Sequence, residues 1–206
     1  MGWKSNQVQR LSVGLLALFI IASLDASQNS VNQSIKKHQS TFENVAMDIW
    51  DLAEVGYQEY KSSEILINVL KKNGFKITNG VADIPTAFIA EYSNDGPVIG
   101  ILGEYDALPG VMQTSSPFKE TRADRIAGHA CGHHMFGAAS AWAAVTIKEW
   151  IEKTNTPGTI RFYGTPAEEG GSGKVYMVRE GLFKDCLLYT SPSPRDYAAS
   201  RMPSSA

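Results

Sequence analysis

With 206 residues, 43% apolar and 19% charged, and a net charge of −2, the chain has the make-up of an ordinary globular protein of one or two domains. That near-neutral balance excludes a general nucleic-acid binder, which needs a basic face to neutralise phosphates. Two cysteines, Cys131 and Cys186, are too few for a disulfide framework.

Residues 1–29 read as a targeting segment. Lys4 and Arg10 give a positive start, and residues 11–22 (LSVGLLALFIIA) form an uncharged apolar run. As a helix that run would span roughly 18 Å, short of the ~30 Å hydrocarbon core, so a secretory signal fits better than a membrane span. Ala26 is small enough for a cleavage site but Leu24 is not, which keeps an uncleaved membrane anchor as the alternative. The expected location is therefore secreted or periplasmic, or else membrane-anchored.

From residue 30 the pattern is helical. Ile35, Phe42, Val45, Ile49, Leu52 and Val55 recur at helical spacing, and a second set follows at Ile65, Leu66, Val69 and Leu70. Asn73-Gly74 closes the second helix. Strands are expected over residues 75–78, 86–92 and 97–102, with Asn94-Asp95-Gly96 turning the last two into a hairpin. Residues 109–126 read as a loop. A helix rich in alanine follows over 132–153, then a strand over 159–163 and a helix over 172–180 that ends at Gly181. Helices alternating with strands predict an α/β fold, a sheet covered by helices. Residues 186–206 are rich in Ser and Pro and lack any period, so they are expected to be a disordered, non-native tail on a domain spanning 30–185.

Three clusters carry chemistry. Residues 127–134 (AGHACGHH) place three of the four histidines around Cys131. Cys131 and His133, two apart with a glycine between, can aim a thiolate and an imidazole at one metal ion. The bland alternative is a buried cysteine beside surface histidines. Residues 165–173 (TPAEEGGSG) follow a strand, and the adjacent carboxylates Glu168 and Glu169 point in different directions, so one can bind metal while the other acts as a base. Alone, an acidic pair before glycines is usually a solvated loop. The third cluster, residues 103–110 (GEYDALPG), also follows a strand, and its Asp106 can hold a ligand imidazole in one tautomer. A thiol hydrolase with Cys131 as nucleophile and His133 as base is a rival scheme, but it leaves the Glu168-Glu169 pair unexplained.

Taken together, GEYDALPG, AGHACGHH and YGTPAEEGGSGKVYMVREGLF resemble the metal-dependent aminoacylase and carboxypeptidase-G-like amidohydrolases, peptidase family M20. The likeness is strongest to its branch of aminobenzoyl-glutamate hydrolase B-type subunits, and it runs over residues 34–185. The resemblance implies a zinc-peptidase-like catalytic domain and two divalent metal ions, zinc or manganese. It implies hydrolysis of an amide in a small acyl-amino-acid substrate, in a homo- or hetero-oligomer. By position, Cys131, His133 and Glu169 would be metal ligands, Glu168 the general base and Asp106 the orienting acid. The liganding atoms of Cys131, His133 and Glu169 would then lie within roughly 4 Å of one another. His134 departs from the Asp or Asn usual in this branch. Further histidine ligands and a lid or dimerisation domain are expected downstream of Asp185, so the 206-residue chain alone is expected to be inactive. An inactive metal-binding relative is the rival from outside enzymology.

Overall fold

The structure, a computed structural model, describes residues 3–190, with side chains from 27 to 188. Helix α1 (Trp3–Leu52) is followed by α2 (Tyr60–Lys72), β1 (Lys76–Asn79), a short 3-10 turn (Val81–Asp83), β2 (Phe88–Asn94) and β3 (Val98–Gly103). Two-residue strands β4 (Leu108–Pro109) and β5 (Ala127–Gly128) bracket the expected loop. Then come α3 (His133–Thr154), β6 (Gly158–Gly164), α4 (Glu168–Gly171), α5 (Gly173–Arg179) and β7 (Leu188–Thr190).

Helix α1 runs without a break through residues 29 and 30, where the expected targeting segment ends. Residues 23–34 contain neither Gly nor Pro, so nothing there interrupts the helical hydrogen bonds. No helix among the described residues is long and apolar enough to cross a membrane. At the other end, Leu188–Thr190 pairs in parallel with Ile99, Gly100 and Ile101, where an irregular tail was expected. Residues from 191 onward lie outside the described part.

The sheet has the order β1-β2-β6-β3-β7, antiparallel through β2–β6 and parallel from β6 to β7. The expected hairpin of β2 with β3 does not form, because β6 lies between them. The turn at Asn94-Asp95-Gly96 exists, but it wraps the start of β6. Asn94 Nδ2 donates to the Thr156 carbonyl at 3.0 Å, and the Thr159 amide donates to the Pro97 carbonyl at 2.9 Å. Gly96 has φ +81°, and a Cβ there would come within 2.9 Å of the Pro157 carbonyl carbon. A turn signal fixes the reversal of the chain; which strand fills the gap is decided by pairing at long range.

Strand alternation divides the sheet into two faces. Ile101, Ile160 and Phe162 join Phe42, Ile49, Leu66, Leu70 and Val145 in the main core beneath α1, α2 and α3. Their neighbours Leu102 and Tyr163 face the opposite way, onto Met177 of α5. The long helix is held along α3 by a ladder of polar and aromatic contacts. Trp150 donates to Ser27, Phe42 stacks on Trp142 with centroids 5.9 Å apart, and Glu149 receives Lys37 at 2.6 Å and His38 at 2.8 Å.

Burial would raise the Glu149 carboxyl, but hydrogen bonds from Lys37, Ser34 and His38 outweigh it and hold the carboxyl down at about 2. A carboxyl depressed in the folded state stabilises the fold above its ordinary value of 4.5 and loses that contribution as pH falls toward 2. Urea unfolding of wild type and Glu149→Gln at pH 6 and pH 3 checks this. The midpoint difference between them is expected to be clear at the higher pH and to shrink at the lower. An equal difference at both would remove Glu149 as an acid-sensitive tie.

Candidate metal centre

Two adjacent strands end at the same level. Gly103 of β3 stands beside Gly164 of β6, and Thr165 returns two hydrogen bonds to the Gly103 carbonyl, from its amide at 2.9 Å and its hydroxyl at 3.0 Å. The loops that leave these ends carry Glu104 and Asp106 on one side, Glu168 and Glu169 on the other. Such paired carboxyl ends of strands are where open α/β sheets place their sites. Helix α3 brings its first residue, His133, between them.

Both nitrogens of His133 face carboxylates. Nδ1 lies 2.9 Å from Asp106 Oδ1 and 3.1 Å from the Asp106 carbonyl; Nε2 lies 2.9 Å from Glu104 Oε2. Ionised carboxylate oxygens only accept, so both ring nitrogens are placed to donate, the arrangement that suits an imidazolium. Burial would lower its pKa, but the bonds to Asp106 and Glu104 outweigh burial and raise it to about 10. Nε2 also faces Glu168 Oε2 at 3.8 Å and Glu169 Oε1 at 4.0 Å. Asp106 spans the site, because its other oxygen accepts the Glu169 amide at 2.7 Å. Lys174 of α5 ion-pairs with Glu104. Burial would raise the Glu104 carboxyl, but His133 and Lys174 together hold it below the usual range.

The expected ligand trio is brought together only in part. His133 and Glu169 meet at 4.0 Å, whereas Cys131 is exposed on the turn before α3. Among the described residues, the donors that close on one point are Glu104, His133 and Glu168, all within 4.8 Å of one another. Asp106 stands where an orienting acid was expected, behind the His133 ring. No disulfide joins Cys131 to Cys186.

These residues suit a divalent cation. Four carboxyl groups converge on one imidazole and one ammonium, an excess of negative charge that a cation would relieve. Glu169 Oε1 is buried without a hydrogen-bond partner, an expensive state unless something binds there. Carboxylate and imidazole are the ligand types zinc and manganese take.

Three residues that the motifs did not single out belong to this region. Glu104 sits in the quoted run beside Asp106, and its position directly after β3 was the signal available. His129 and His134 are buried with ring centroids 5.0 Å apart, and the Nδ1 atoms of both lack partners. Burial lowers both to about 4. His134, left without a role by the sequence, thus packs on His129, whose Nε2 lies 3.0 Å from the Ile49 carbonyl.

The chain has relatives among known proteins. The profile of Peptidase family M20/M25/M40 matches residues 100–199. Over 171 residues, 82% of its length, the chain is 43% identical to the B-type subunit of the p-aminobenzoyl-glutamate hydrolase of Escherichia coli, covering 35% of that protein. It is 32% identical over 143 residues to an N-acetylcysteine deacetylase of Bacillus subtilis, covering 68% of itself and 36% of the relative. Among solved structures, a dinuclear metal binding peptidase of the M20 family from Bacillus subtilis superposes with a TM-score of 0.64 at 28% identity. That match covers 75% of this chain and 42% of the other. The chain therefore spans about a third of the length of the curated relatives it matches.

Proposed function

The chain belongs to the M20 peptidase family, and on that premise we propose that it forms the metal-binding portion of a hydrolase acting on the amide of an N-acyl amino acid, with aminobenzoyl-glutamate-like compounds as the substrate class. The observation that carries this reading is the His133 ring, gripped by Asp106 at Nδ1 and turned by it toward Glu104, Glu168 and Glu169.

His133 would hold a divalent cation together with Glu104 and Glu169, whose carboxylates lie 2.9 and 4.0 Å from its Nε2, with Cys131, two residues before His133, as the thiolate candidate for a second. Bound there, the cations would polarise the amide carbonyl and make water acidic enough to give up a proton near neutral pH. The protein's own residues do the rest. Glu168 takes the proton from the attacking water and delivers it to the departing amine. Asp106 keeps a proton on Nδ1, so that Nε2 is the ligand nitrogen once its own proton leaves. Through the Glu169 amide, the same carboxylate ties the acidic turn to the histidine. Lys174 offsets the charge of Glu104.

Supporting an exported location is the basic start and apolar run of residues 4–22, which a fusion of residues 1–29 to a reporter would test. The hydrolase reading is tested in a protein of the relatives' full length carrying this domain. Chelation should abolish cleavage of an acyl-glutamate, and zinc or manganese should restore it. Activity that survives chelation but is lost to a thiol alkylating agent would favour Cys131 as nucleophile and overturn the proposal.

A further inference from the structure

One buried acid plays no part in the chemistry above. Glu59, in the connector between α1 and α2, is 0% exposed. We propose that Glu59 is a positioning residue for the Glu168-Glu169 turn, acting through its carboxylate on the backbone of Ala167; the proposal rests on the metal-hydrolase reading of that turn. Glu59 Oε1 accepts the Ala167 amide at 2.8 Å, and Oε2 accepts the Thr86 hydroxyl at 3.0 Å. The Thr86 carbonyl in turn accepts the Tyr105 hydroxyl at 2.6 Å, between Glu104 and Asp106 in the chain. One carboxylate thus joins both acidic loops.

Ala167 needs such a hold. Its φ is +56°, the left-handed region that a residue with a Cβ occupies only when its surroundings impose it. The connector grips the turn at two further points. A Cβ at Gly56 would fall 3.0 Å from Ala167 Cα, so the two backbones touch, and the Tyr57 hydroxyl donates to the Gly171 carbonyl at 2.6 Å. Burying a carboxylate is costly, and an apolar side chain would fill the same space without that penalty. What an apolar side chain lacks is an acceptor for the Ala167 amide. Without it, the residue directly before Glu168 is free to leave its left-handed conformation, and the directions of both glutamates change.

The test uses the 206-residue chain as wild type, Glu59→Ala and Glu59→Gln. Amide hydrogen exchange is read at Ala167 and Glu169, with Ala141 and Phe162 as reporters of the core. The visible spectrum of added Co2+ reports the ligand arrangement. In Glu59→Ala, exchange at Ala167 should quicken by at least about tenfold while the core reporters hold, and the cobalt bands should change. Gln keeps a carbonyl to accept the Ala167 amide, so both signals should return to wild type. A folded Glu59→Ala with wild-type exchange and spectrum overturns the proposal. So does failure of Gln to restore them, or loss of the fold in both variants, which would make Glu59 a folding residue alone. If the 206-residue wild type takes up no cobalt, its own ligands do not hold the ion by themselves, and exchange at Ala167 alone decides the role of Glu59.

Discussion

In a full-length protein carrying this domain, Glu168→Gln should lower kcat for amide hydrolysis by about 10²–10⁴-fold and leave metal content near wild type, the loss typical of a missing general base. The two neighbouring glutamates differ in a way that assigns their roles. The Glu168 side chain is 37% exposed and Glu169 only 13%. Water can reach the first. The second presents a buried oxygen without a partner, 4.0 Å from His133 Nε2. A ligand is served by burial, a base by access to the attacking water. Yet Glu168 also closes on Glu104 and His133 within 4.8 Å, so a ligand role for it is a real competitor. Metal analysis beside the kinetics separates the two. Gln keeps the size of Glu and loses the proton acceptor, so a base gives a metal-replete, slow enzyme. Loss of metal along with activity would exchange the roles of Glu168 and Glu169.

How much of this was legible in the sequence follows from the range of the interactions involved. Helices α3 and α5 begin and end within a residue or two of their expected bounds, and α2 ends where Asn73-Gly74 marks it, because caps and periodicity are local signals. The place of β6 between β2 and β3 was not legible, since it depends on pairing between residues some 60 or more apart, such as Ser93 with Thr159. The site divides in the same way. His133, Asp106, Glu168 and Glu169 stand in short runs dense in ligand-type residues, and the sheet brings those runs together. Cys131 shows the limit of spacing: two residues from His133 in sequence, it sits on an exposed turn while Glu104 takes the near position. Glu59 and Lys174 carried no local mark. One sits in a connector, the other on a short helix, and only the fold reveals a buried acceptor at Ala167 and a cation on Glu104.

Asp106→Asn should produce the opposite signature to Glu168→Gln, a loss of metal affinity of about 10–100-fold, the usual penalty for removing the partner of a ligand histidine. The change is small in volume, so packing around this buried residue is kept. What changes is the number of acceptors. Asp106 uses both oxygens, Oδ1 for His133 Nδ1 at 2.9 Å and Oδ2 for the Glu169 amide at 2.7 Å. Asn offers one oxygen and one amino group, so one of the two donors must meet another donor. If the amino group faces His133, the neutral ring accepts at Nδ1, and its remaining proton moves to Nε2, the nitrogen needed for metal. If the amino group faces Glu169, a backbone amide loses its partner in a buried site, which costs about 1–3 kcal/mol and pushes the acidic turn away. Either orientation damages the centre. Competitive metal titration should show the weakening, and excess zinc or manganese should recover part of the activity. Affinity within twofold of wild type would mean that Asp106 neither sets the histidine tautomer nor anchors Glu169.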